Sequence, residues 1–158
     1  MTTRSIGQQL VERLDPLRSP TAQVDGTWGR VAVSTRDVDR LGVMVEEIVI
    51  DRLPGSMSPD VLRRRLEDLA ARVDYLPEWL TVVEHDPART GALMRSAPPR
   101  RVENHRQYFE LRVSRIRSAR FCRFDQPPEA DPRAAVPFLL DRRTMASLVD
   151  DLIAALSA

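Results

Sequence analysis

Apolar and charged side chains alternate along residues 106–125 (RQYFELRVSRIRSARFCRFD). A two-residue period is typical of a strand that turns one face to a core and the other to water. With a loop at residues 115–118, the segment predicts a hairpin whose apolar face pairs Phe109 with Phe124, Leu111 with Cys122, and Val113 with Arg120. Its charged face would pair Tyr108 with Asp125, Glu110 with Arg123, and Arg112 with Phe121. We therefore expect an antiparallel sheet whose guanidinium groups are directed to water.

Further segments have the same two-residue period. It appears in WGRVAVST, which follows a loop predicted over residues 19–27. It appears again in WLTVVEH and GALMRSA, which flank residues 86–89 (DPAR), a segment with the composition of a hairpin loop. Residues 41–53 (LGVMVEEIVIDRL) suit a helix or a strand, and their β-branched content favours a strand paired with the preceding one. Residues 135–140 (AVPFLL) predict a last strand, in which Pro137 indicates an edge or the first position.

Apolar stripes and capping residues predict three helices. The first covers residues 5–15, where Ser5 and Gln8 stand at capping-box spacing. The second covers residues 59–75, with Ser58 as its N-cap and the arginines at 63–65 on its outward side. The third follows Asp141 as its N-cap. Its apolar face is formed by Met145, Leu148, Val149, Leu152, Ile153 and Leu156.

These elements predict one α+β domain over residues 1–158. An antiparallel, meander-rich sheet of about six to seven strands would be covered on one side by two or three helices, including the amphipathic C-terminal helix. The N-terminal helix lies within residues 1–20, and the proline-rich acidic segment 125–134 predicts a flexible loop. The element order resembles that of the small α+β chaperones of secreted bacterial proteins, which are dimers. The resemblance is one of element order, and no motif accompanies it.

The charge of the chain is unevenly distributed. Every permanently charged basic residue is arginine, because the chain contains no lysine. Residues 95–123 hold nine arginines against Glu103 and Glu110, a local charge of +7, whereas the segments before and after each carry −3. The net charge of +1 therefore hides a basic middle between two acidic flanks. Guanidinium groups suit carboxylates and phosphates, so this middle favours an acidic partner.

Other features bound the class of protein. No apolar run approaches the roughly 20 residues of a membrane helix, and the start MTTRSIGQQL lacks the apolar stretch of a signal peptide. The single Cys122 forms no internal disulfide. We therefore expect a soluble, cytoplasmic protein without a membrane partner.

Candidate chemistry is sparse. The stretches EHD at residues 84–86 and ENH at residues 103–105 carry the two histidines, but adjacent strand residues point to opposite faces. Cys122 is expected to pack against Leu111 as a small core residue, and no glycine loop for phosphate or pair of Cys-x-x-Cys units is present. We therefore assign no catalytic, cofactor-binding or metal-binding residue.

Three hypotheses follow for function. The favoured one is a non-catalytic interaction module, of adaptor or chaperone type, that binds a protein partner or a second copy of itself through its sheet or the arginine-rich hairpin. Nucleic-acid binding is the alternative, since arginines and aromatic rings on a sheet can contact phosphates and bases. A metal-dependent or acid/base enzyme that uses His85 and His105 is the third. The predicted partner-binding residues are Arg106, Tyr108, Arg112, Phe121 and Arg123.

Overall fold

The computed structural model describes residues 3–14, 20–86, 91–114, 117–129 and 131–157. Its three helices are α1 (Ile6–Glu12), α2 (Pro59–Arg72) and α3 (Arg142–Leu156). Its first five strands are β1 (Thr21–Gly26), β2 (Gly29–Val38), β3 (Gly42–Asp51), β4 (Trp79–Asp86) and β5 (Gly91–Ala97). The others are β6 (Arg100–Val102), β7 (His105–Ser114), β8 (Ser118–Gln126), β9 (Ala134–Val136) and β10 (Phe138–Asp141).

All ten strands form one antiparallel sheet. Seven of them follow the order β1-β2-β3-β8-β7-β5-β4, and β6, β9 and β10 pair beside this path with β7, β8 and β3. Strands β3 and β8 pair directly only over Ile48–Ile50. Beyond that stretch they take separate partners, because β10 pairs with the start of β3 and β9 with the end of β8.

The strand count is higher than the six to seven that the sequence predicts. The predicted strand at 135–140 is two short strands on different partners, and Pro137, which has no N–H to donate, lies between them. The predicted loop at 19–27 contains β1, which forms an edge of the sheet against β2. Residues 41–53 contain β3, as predicted.

The helices form one layer on the sheet. Helix α3 contacts α1, α2, β3 and β10, and its predicted apolar face is buried throughout. The predicted caps are confirmed: the Ser5 and Ser58 hydroxyls and the Asp141 carboxylate each accept a backbone N–H of the first helical turn. Helix α1 ends at Glu12, before the predicted end of the helix at residue 15, and residues 15–19 lie outside the described part.

Helices α1 and α3 cross closely at Gly7. Its N–H donates to the Asp150 carboxylate at 2.7 Å. A Cβ on this glycine would lie 2.0 Å from the carbonyl oxygen of Ala146, far inside van der Waals contact. The absence of a side chain therefore permits this crossing.

The register of the β7–β8 hairpin differs by one residue from the predicted one. Phe109 pairs with Arg123, Leu111 with Phe121 and Val113 with Ala119, and pairing ends at Ser114 opposite Ser118. Arg117 has a φ of 61° just before β8, the left-handed position typical of a three-residue hairpin loop, where four residues had been predicted. A one-residue slip moves every β8 side chain to the other face. Residues 115–116 lie outside the described part.

Two further predicted loops lie at residues 125–134 and between strands β4 and β5. The segment 125–134 begins within β8 and ends in β9, so its predicted boundaries are wrong at both ends. The hairpin of β4 and β5 is confirmed, while residues 87–90 of its loop lie outside the described residues. Among the described residues, no helix is both long and apolar enough to cross a bilayer.

Candidate functional site

The structure places the five predicted partner-binding residues in different surroundings. Arg106 and Arg112 are exposed on the outer face of the sheet, which we define as the face away from the helices. Tyr108 lies on the same face but is only 9% exposed. Phe121 and Arg123 were expected to face water, and this is wrong: the register turns both to the inner face, where they are buried.

Arg123 occupies a charged site inside the fold. It forms an ion pair with Glu78 at 2.8 Å, with side-chain exposures of 7% and 6%. Its guanidinium also lies 4.3 Å from the centre of the Phe109 ring. The hydroxyl of Ser96 accepts the Phe109 N–H at 2.7 Å and lies 3.4 Å from the Glu78 carboxylate. The ion pair with Glu78 and the contact with the Phe109 ring compensate for the free-energy cost of removing the Arg123 cation from water.

On the outer face, Glu110 holds two arginines in place. Arg133 binds both of its carboxylate oxygens at 2.9 Å, and Arg95 donates from Nε at 3.0 Å. The Arg133 guanidinium lies 3.8 Å from the centre of the Phe124 ring and donates to the Tyr108 hydroxyl at 3.1 Å. These contacts fix the two guanidinium groups before any ligand is present.

The same contacts determine the charge of Glu110. Burial alone would raise its pKa, but the hydrogen bonds from Arg133 and Arg95 outweigh that cost and hold the pKa below its ordinary value. Glu110 is therefore ionised at neutral pH although its side chain is almost fully buried.

A groove of about 340 Å³ lies beside this cluster on the outer face. Strands β4, β5, β7 and β8 and the chain around β9 contribute to it. The lining residues are Thr81, Val83, Arg95, Ser96, Ala97, Pro99, Arg106, Tyr108, Gln126 and Arg133. We call this feature the arginine groove.

One wall of the arginine groove is an edge strand. Strand β4 pairs with β5 on one side, and among the described residues no strand pairs with its other side. Two apolar side chains stand out from this edge: Trp79 is 73% exposed and Val83 48% exposed. Val83 is the extra residue of a bulge, because Val82 pairs with Met94 and Glu84 already pairs with Leu93. The edge therefore offers a short regular stretch beginning at Trp79.

The described arginines of the basic middle fall into three groups. Those in ion pairs are Arg95, Arg120 and Arg123, whose partners are Glu110, Glu47 and Glu78. Arg117 donates instead to the Leu156 carbonyl. The described arginines whose side chains make no hydrogen bond or ion pair with another described residue are Arg100, Arg101, Arg106 and Arg112. Three of these free cations, Arg100, Arg101 and Arg106, therefore gather on β6 and the start of β7, whereas Arg112 lies near the other end of β7.

The histidines do not share a site. His85 lies level with Ala92 and Val113, and His105 is eight residues further along β7, about 27 Å away at the rise of a strand. His85 is hydrogen-bonded to the Pro59 carbonyl and His105 to Asp125. Glu103 and Asn104 form the turn between β6 and β7, with φ of 48° and 70°. No three His, Cys, Asp or Glu side chains group as metal ligands within the described ranges.

Cys122 does not pack against Leu111 as predicted. The register places it opposite Glu110 on the outer face of the sheet. Burial raises the pKa of its thiol to about 11. This thiol is therefore protonated at neutral pH and is a poor nucleophile.

Periodicity along single strands does not reveal the groove, because its walls come from four strands and from Arg133, which lies within the segment predicted to be a loop. The exposed Trp79 was the detectable signal, as a large aromatic at the first position of a predicted strand. Models of known protein families, curated proteins and solved structures contain no significant match to the chain.

Proposed function

We propose that the protein is a non-catalytic interaction module, of adaptor or chaperone type, that receives an extended segment of a partner protein along the free edge of β4. The observation that supports it most is the edge itself, where Trp79 and Val83 stand exposed beside the arginine groove. Backbone groups of an edge strand pair with an added strand, and alternate side chains of that strand then meet pockets on the sheet face.

Protein is favoured over nucleic acid by the state of the aromatic rings. Base stacking needs rings open to solvent, and the hypothesis rested on Tyr108 and Phe121. Phe121 lies in the core, and Tyr108 is nearly buried beneath the arginines of the Glu110 cluster. Trp79 remains, but it stands at the sheet edge, where an added strand would cover it.

The test compares two charged substitutions at exposed apolar positions. Val83→Lys places a charge on the β4 edge, which opposes strand addition. Leu139→Lys is the matched control, since Leu139 is 68% exposed on β10, away from the groove. Proteins captured by the wild type and by Leu139→Lys, and lost with Val83→Lys, are the expected partners. Equal capture by all three proteins would contradict the proposal.

Binding is then measured with purified components. In a Trp28→Phe background, Trp79 is the single tryptophan and reports directly on the edge. An extended peptide from the captured protein should shift the emission of Trp79 to shorter wavelength as the ring is covered. Light scattering across a concentration series identifies the case in which the partner is a second copy of the chain. An unchanged emission on binding would place the contact elsewhere.

A further inference from the structure

The arginine groove carries an excess of positive charge. Arg95, Arg106 and Arg133 line it, and Glu110 beneath them is the one carboxylate that pairs with any of the three among the described residues. Two guanidinium charges are therefore left without a counter-charge in the groove. A ligand that supplies a carboxylate would restore the balance.

The side chains of the three arginines are held in place by hydrogen bonds to different degrees. Arg133 uses both terminal nitrogens on Glu110 and Tyr108, and Arg95 reaches Glu110 through Nε. Within the described residues, the terminal nitrogens of Arg95 make no hydrogen bond, and the Arg106 side chain makes none either. Arg95 is already oriented, so less side-chain entropy is lost when it binds a ligand. Arg106 supplies the free charge.

The groove and the free edge share two residues. Thr81 and Val83 belong to β4 and also line the groove. A side chain that leaves an added strand toward the outer face therefore enters the groove directly. The groove is consequently placed to select among partner segments by the charge of one side chain.

We infer that the arginine groove binds the carboxylate of one acidic side chain, Asp or Glu, of the partner segment, with Arg106 and Arg95 as its donors. The inference rests on the proposed strand addition to β4 and adds the chemical identity of the residue that is recognised. Paired hydrogen bonds from guanidinium to carboxylate give such a contact both strength and direction.

Two synthetic peptides test the inference. One alternates glutamate and valine over eight residues, and its control alternates glutamine and valine, both with blocked ends. Titrations follow Trp79 emission in the Trp28→Phe background. We expect the acidic peptide to bind the wild type about tenfold more tightly, as one charge-assisted contact implies. Arg106→Gln should remove most of that preference.

Arg112→Gln is the matched control. Arg112 lies on the same strand and the same outer face, is exposed and has no ion pair with another described residue, but does not line the groove. This variant should keep the preference for the acidic peptide. An equal loss in both variants would show a diffuse effect of positive charge and would overturn the inference.

The remaining outcomes separate this inference from the proposed function. Equal affinity for the two peptides would overturn the carboxylate site while leaving strand addition in place. Failure of both peptides to bind would contradict both. Tighter binding of a single-stranded oligonucleotide, with displacement of the acidic peptide and the same dependence on Arg106, would assign the groove to nucleic acid and overturn the inference as well.

Discussion

Removing the Glu78 carboxylate should destabilise the protein strongly. Glu78→Ala leaves the Arg123 guanidinium inside the fold without its counter-charge, at a site where the two side chains are 7% and 6% exposed. Breaking a buried ion pair by removing one partner costs about 3–5 kcal/mol. For a chain of this length, that corresponds to a fall in the melting temperature of roughly 6–20 °C.

The measurement is denaturant unfolding followed by circular dichroism, with two comparison proteins. Glu67→Ala removes an exposed carboxylate that pairs with Arg63 on α2, and it should cost about 0.3–0.5 kcal/mol. The double change Glu78→Met with Arg123→Met replaces both charges by apolar groups and should unfold close to the wild type. A cost of Glu78→Ala no larger than that of Glu67→Ala would refute the assignment of a buried, paired cation.

Three further predictions concern single residues. The pKa of Glu110 is held below its ordinary 4.5, so the stability that its ionised form contributes is complete above that pH and is lost as pH falls through the lowered value. The difference in unfolding free energy between the wild type and Glu110→Gln should therefore shrink as the pH of the denaturation series is lowered. A difference that stays constant with pH would contradict this prediction. Cys122, with its pKa raised by burial to about 11, should react with an aromatic disulfide at pH 8 only after unfolding, and rapid labelling of the native protein would disprove its burial. Gly7→Ala should cost about 1–3 kcal/mol by thermal melting, because the new Cβ would lie 2.0 Å from the Ala146 carbonyl oxygen, and a neutral effect would mean that the helices separate freely.

In strand β7, the two-residue period of the sequence correctly predicts which side chains face the core. Phe109, Leu111 and Val113 alternate with charged residues, and the structure places all three on the inner face as expected. The same holds for α3, whose apolar stripe and Asp141 cap were both visible in the chain. Burial on one face and local hydrogen bonds decide such features, and both depend on residues close in sequence.

Strand β8 shows where that reasoning ends. Its residues alternate equally well in two registers, and the loop length decides between them. The left-handed position is taken by Arg117, whereas glycine would have indicated the turn. The consequence reaches the predicted site, because Arg123 and Phe121 moved to the inner face while Cys122 and Phe124 moved outward.

The sequence by itself determined the α+β class, the three helices with their caps and the inward faces of most strands, because spacing and capping act within a few residues of the chain. Only the tertiary structure decided which arginines are free. Arg106 and Arg123 are both arginines of the same basic hairpin, yet one lines an open groove and the other is paired with Glu78 inside the fold. Their difference depends on partners brought together from distant segments by strand order and register, which local composition does not encode.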